Sequence, residues 1–382
     1  MNDEENRNKA QVNGDVHTEG GDFVGRDKNV TIINQPILPR ITSLLPPLPS
    51  LIVGRDEALL ELKTRLSTMR ESGALVQVIT AMRGWPGVGK TTLAAWLAHD
   101  SEMQAKFPDG VLWVSLGTSP NLLSELAAWG RALNSESLQN ARDLKQARDI
   151  LAGLLRDKHM LLILDDVWQA EHAAPFLVGG RNCATLITTR LNDLSRELVP
   201  PDQIFVLPVL TVESALELLS KLAPKVVEEH PTEARELVEA LEGLPLAIQV
   251  AGRLLQSEFA SGFGVRELIG ELKKGASLLK ADVPPDRRDL VSETTPTVAA
   301  LLFTSLEKLD SQIRECYGYL GVFAPQPATF DLDAMGFMWD IEDPRLIVRA
   351  LVDRGLLEYV QEIQRYQMHA LLVMLAKTLL TD

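Results

Sequence analysis

Residues 84–91 read GWPGVGKT, a match to G-x-x-x-x-G-K-[ST] that follows the apolar run LVQVITAM (75–82) and runs into the helical pattern TTLAAWLAH. A glycine-rich turn between a buried strand and a helix constrains the chain strongly. The backbone N–H groups of Gly84, Gly87, Val88, Gly89, Lys90, Thr91 and Thr92 can wrap phosphate oxygens at the helix N-terminus. In such a loop Lys90 supplies a point charge to the β- and γ-phosphates of a nucleotide, and the Thr91 hydroxyl can ligate Mg²⁺. A strand feeding a helix in this way also predicts a parallel, βαβ-built sheet.

The neighbouring runs agree. VLWVSL (111–116), MLLIL (160–164), ATLITT (184–189) and IFVL (204–207) alternate with helical stretches such as LLSELAAWGRAL, which predicts a parallel sheet covered on both faces. Beyond residue 208 the strand signal fades. TVESALELLSKLA, TEARELVEALEG and LPLAIQVAGRLLQ read as successive helices, the second stopped by Gly243. ADVPPDRRD (281–289) is a further breaker, and the last segment reads as helices with a weak β signal at LLEYV and IQRYQM. The expected organisation is a Gly/Asp-rich head (1–35), a proline-rich linker (36–50), an α/β nucleotide-binding domain (51–207), an all-α domain (208–285) and a final domain (286–382).

Two further motifs carry chemistry. LLILDDVW places Asp165 and Asp166 at the end of a buried strand, where adjacent carboxylates are costly unless a cation or helix terminus meets them. Asp165 is expected to hold Mg²⁺ and Asp166 to orient or deprotonate an attacking water. Arg190 ends LITTR on the next strand. Parallel strands point their C-terminal ends to one crevice, so Arg190 is expected to sense a γ-phosphate.

Taken in order, VGR, GWPGVGKTTLA, LLILDDVW, LITTR, GLPLAI (243–248) and YQMHALL (366–372) resemble the NB-ARC ATPases of the STAND class. That family includes plant disease-resistance receptors, the apoptotic protease-activating factor and bacterial regulators. The resemblance covers residues 51–382. It implies an AAA+-like P-loop NTPase domain, a helical domain and a winged-helix domain closing around ADP at rest, opening to oligomerise on ATP exchange, with slow hydrolysis as reset. It further implies that Val53 and Arg55 contact adenine, that Pro245 packs on the base, and that His369 reaches the ADP β-phosphate. One position departs: Ala370 stands where the family carries an aspartate after Met-His. The family's repeat sensor is expected after the last domain, so either this sequence is a fragment or a separate sensor or effector protein is the partner.

The four letters of Val53-Gly54-Arg55-Asp56 occur earlier as Val24-Gly25-Arg26-Asp27. Only the second copy precedes a helical face, Leu59, Leu62, Leu66 and Met69, with Asp56 as its expected N-cap. The first lies in a head whose spaced Val, Ile and Phe residues suggest short strands that pair between chains on assembly. The net charge of −14 opposes a large phosphate-tracking surface, and residues 296–382 hold seven basic and twelve acidic side chains. A DNA-binding, ATP-controlled transcription regulator is therefore the weaker reading, nucleic acid an unexpected partner, and a motor or metabolic ATPase weaker still. No run suits a spanning helix, the N-terminus MNDEENRNKA does not read as a signal peptide, and Cys183 and Cys316 read as buried thiols. Membrane partners are not expected and the cytoplasm is the expected compartment.

Overall fold

The computed structural model describes residues 45–68, 75–81, 87–258, 266–268, 270–271, 296–326 and 328–380. The head with its copy of VGRD, linker residues 36–44, Met69, Gly84 and the 281–289 breaker lie outside the described residues.

The first elements are α1 (Asp56–Thr68), β1 (Leu75–Ala81), α2 (Lys90–His99), α3 (Ser101–Lys106), β2 (Gly110–Gly117) and α4 (Leu122–Ala132). Next come α5 (Glu136–Gln139), α6 (Leu144–Leu155), β3 (Met160–Val167), α7 (Ala170–Ala173), β4 (Ala184–Thr189), α8 (Asn192–Leu198) and β5 (Ile204–Leu207). All five strands pair in parallel, in the order β2-β3-β4-β1-β5. Alternation along β3 explains the layering. Leu161 and Ile163 pack with Leu62, Leu66, Leu93 and Leu97 of α1 and α2, whereas Leu162 and Leu164 pack with Leu126, Trp129, Leu151 and Leu155 of α4 and α6. A strand dry on both faces reads as a continuous apolar run, which is why MLLIL carries no period.

One expectation at the start of the domain is corrected. Asp56 is the first residue of α1, and the Leu59 amide donates to the Arg55 carbonyl at 2.9 Å, so Arg55 holds the cap position. The Arg55 side chain is drawn instead to two tertiary carbonyls described below.

After the sheet come α9 (Val212–Leu222), α10 (Pro224–Glu229), α11 (Pro231–Ala240) and α12 (Pro245–Glu258). Then follow α13 (Pro296–Glu307), α14 (Ser311–Tyr319), α15 (Leu332–Trp339), α16 (Arg345–Asp353), an antiparallel hairpin of β6 (Glu358–Val360) and β7 (Arg365–Gln367), and α17 (Ala370–Thr378). The amphipathic face of α16 buries Ile347, Val348 and Leu351. The core of this segment is held by Tyr317, whose hydroxyl donates to the Leu372 carbonyl at 2.8 Å, and by the Trp339 indole on the Cys316 carbonyl at 2.8 Å. Cys183 and Cys316 are both free and buried. Among the described residues no helix is long and apolar enough to cross a membrane.

Candidate functional site

The loop before α2 sets the geometry. Gly87 and Gly89 have φ of 80° and 99°, the left-handed region where glycine is favoured. Gly89 caps α2, so the N–H groups of the helix's first turn face the loop. Gly87 also needs its missing Cβ, which would stand 2.9 Å from the Leu246 Cβ. The Leu246 amide donates to the Gly87 carbonyl at 3.3 Å, seating the loop on the start of α12. Lys90 is 8% exposed. Burial, with repulsion from Arg190, pushes its ammonium down to about 8 against the attraction of Asp166 and Asp165.

Asp165, at the end of β3, is 1% exposed. Burial, then the neighbouring Asp166 charge, pushes its carboxyl up to about 6, opposed by three hydroxyl groups. Thr91 donates to Oδ1 at 2.9 Å, Thr188 to Oδ1 at 2.6 Å and Ser115 to Oδ2 at 3.2 Å. These donors come from α2, β4 and β2. The strand order brings Ser115 and Thr188 to it, since β3 lies between β2 and β4, and the first turn of α2 adds Thr91. Thr188 also accepts from the Asp166 amide at 2.9 Å. Asp166 itself has φ 52°, and the register between β3 and β4 shifts between Leu164 and Val167. That break places the Asp166 carboxylate 3.3 Å from Nε of Arg190, which lies just beyond β4. A costly carboxylate beside a threonine hydroxyl at a helix N-terminus suits a divalent cation carried by a phosphate chain.

The opposite wall comes from later elements. Pro245 and Leu246 begin α12, and His369 precedes α17; all three line the same cavity as Gly87, Gly89, Lys90, Thr91, Thr92, Asp165, Asp166 and Arg190. Nδ1 of His369 accepts from the Leu371 amide at 3.1 Å, which caps α17 and leaves the proton on Nε2. Burial and the charges of Arg190 and Lys90 push this imidazole down to about 3, so it is neutral.

Two expected site residues lie elsewhere: Val53 and Arg55 are buried and do not line the cavity, while Val88 turns its side chain into the core between the cavity-lining Gly87 and Gly89. Arg55 instead donates to the Val88 carbonyl at 2.7 Å and to the Pro208 carbonyl at 2.8 Å, and burial pushes its guanidinium down to about 10. From that stretch it is Pro49, Ser50 and Leu51 that reach the cavity. Sequence reasoning read Pro49 and Ser50 as linker and gave Leu51, the first residue of the nucleotide-binding domain, no role in the site. It also missed Gln249 and Arg253, spaced one helical turn apart on α12, and a polar group at the hairpin. There Glu358, pushed up by burial, accepts from Gln326 at 2.9 Å and Gln367 at 3.0 Å. The α12 spacing was a readable signal; the hairpin group had none.

Residues 55–228 match the family model of the NB-ARC domain. Regulatory protein AfsR of Streptomyces griseus is 30% identical over 338 residues, covering 85% of this chain and 32% of that protein. Human apoptotic protease-activating factor 1 is 30% identical over 223 residues, covering 56% of this chain and 17% of that protein. A probable disease resistance protein of Arabidopsis thaliana is 24% identical over 336 residues, covering 84% and 37% respectively. Among solved structures, a signal transduction ATPase with numerous domains from Pyrococcus horikoshii, bearing a tetratricopeptide repeat sensor, shares the fold at a TM-score of 0.54 and 16% identity. That alignment covers 87% of this chain and 43% of the other. The chain thus spans 32% of the length of the AfsR relative, roughly a third.

Proposed function

Because the chain belongs to the NB-ARC family through residues 55–228, we propose that it is a nucleotide-controlled signal-transduction switch, closed on ADP and opened by exchange for ATP. The carrying observation is that Lys90, Pro245 and His369, from three successive parts of the chain, line one cavity. A ligand held by all three ties those parts together, and a change in its phosphate chain changes what holds them.

In this reading residues 51–207 bind the phosphates, 208–285 form a helical domain and 286–382 a winged-helix domain whose wing is the 358–367 hairpin. Gly87, Val88, Gly89, Lys90, Thr91 and Thr92 form the phosphate loop. Pro245 packs on the base, beside the wall of Pro49, Ser50 and Leu51. Val53 and Arg55 support that end from behind, Arg55 by pinning the Val88 carbonyl. The neutral His369 offers its Nε2–H to the β-phosphate, at no electrostatic cost beside Lys90 and Arg190. Thr91 and Asp165 hold Mg²⁺, whose chemistry is to neutralise charge on the phosphates.

Asp166 is the residue to orient the attacking water, but its carboxylate is ion-paired with Arg190. A carboxylate engaged by an arginine has to give up that contact to position the water, so hydrolysis is slow and serves as reset. Opening licenses assembly of several copies, and a separate sensor or effector completes the pathway in the cytoplasm. The experiment is to denature freshly purified chain and chromatograph the released nucleotide. ADP in near-equal amount to protein is expected, and its loss in Lys90→Ala; no adenine nucleotide in the wild type counts against the reading.

A further inference from the structure

We infer that Trp168 is a positioning residue that fixes Arg190 for recognition of a terminal phosphate, an inference that rests on the nucleotide reading of the cavity. Trp168 directly follows β3, and no chemical role falls to it from the motif it sits in. The Arg190 guanidinium carbon stands over its ring, 5.3 Å from the centroid. On its edge the same guanidinium meets Asp166, Nε to Oδ1 at 3.3 Å, with the arginine side chain 11% exposed. A planar cation held at one face and one edge keeps a single orientation.

The placement makes this orientation matter. Arg190 lines the inner cavity with Lys90, and on its other side it lines an outer cleft with Trp168, Gln169 and Asn192. It is the partition between the two. Lys90 repels it across the cavity, so the guanidinium stays at the wall only because attractive contacts oppose that repulsion. Asp166 supplies one such contact and the indole face another. The indole Nε1–H is shut away from solvent and meets no acceptor among the described residues. An unpaired buried donor is unfavourable, so the ring sits there for its face and volume and not for a hydrogen bond.

In this reading a diphosphate is held by the loop and His369, and the third phosphate of a triphosphate adds charge that Arg190, on the same cavity wall, can meet. Trp168 therefore contributes to the preference for a triphosphate and leaves diphosphate binding alone. The test is titration of the nucleotide-stripped full chain with MgADP and with a Mg-bound non-hydrolysable ATP analogue, in wild type, Arg190→Ala, Trp168→Leu and Trp168→Phe. Leucine keeps apolar volume without a π face, and phenylalanine keeps the face. The expected result is that Trp168→Leu lowers triphosphate affinity by about tenfold, as Arg190→Ala does, with MgADP affinity unchanged, and that Trp168→Phe stays near wild type. Wild-type triphosphate affinity in Trp168→Leu, or equal loss for both nucleotides, overturns the inference while leaving the nucleotide reading in place. A wild type that binds neither nucleotide overturns that reading and the inference together.

Discussion

Thr188 stands between two acids, donating to Asp165 at 2.6 Å and accepting from the Asp166 amide at 2.9 Å. Thr188→Val keeps shape and removes both bonds, so a buried carboxylate and a backbone amide each lose a partner. The expected loss of stability is about 1–3 kcal/mol in urea unfolding of the nucleotide-free chain; a change within about 0.5 kcal/mol of wild type contradicts the assignment. His369 offers a pH test. Its folded value of about 3 lies below the roughly 6.5 expected of an unfolded histidine. The unfolded chain therefore gains a proton that the folded chain refuses, and the stability from a neutral His369 is present above about pH 6.5 and lost as pH falls toward 3. Unfolding free energy of the wild type, compared with His369→Gln, is expected to fall more steeply between pH 6.5 and 4, as the wild type alone carries this titration. Parallel profiles contradict a desolvated imidazole.

Among the elements, βα alternation was legible because strands dry on both faces leave unbroken apolar runs, and IFVL and ATLITT coincide with β5 and β4. Asp165, Asp166, Lys90 and Arg190 were legible because their motifs sit at strand ends, where a parallel sheet gathers them. Arg55 was not legible in the same way. The family resemblance implies a ligand contact, but the Arg55 side chain donates to the carbonyls of Val88 and Pro208, the latter 153 residues away. Arg55→Met leaves both carbonyls buried without that donor and frees the loop before α2. The expected cost is about 2–4 kcal/mol of stability, with weaker nucleotide binding on titration. Binding unchanged at full stability contradicts the role of the tie.

For the whole molecule, the cavity wall from Pro49–Leu51 and the Gln326, Glu358 and Gln367 group arise only when distant segments meet, so no local pattern announces them. The proposed switch belongs to this scale too, since it requires the parts of the chain around the cavity to be coupled through the phosphate chain of one ligand. Hydrogen–deuterium exchange of the full chain with MgADP and with a Mg-bound non-hydrolysable ATP analogue tests it most directly. Amides of residues 87–92 are expected to be protected by both ligands, and those of residues 353–372, which include the hairpin and His369, by MgADP alone. Equal protection of residues 353–372 by the two nucleotides contradicts the switch.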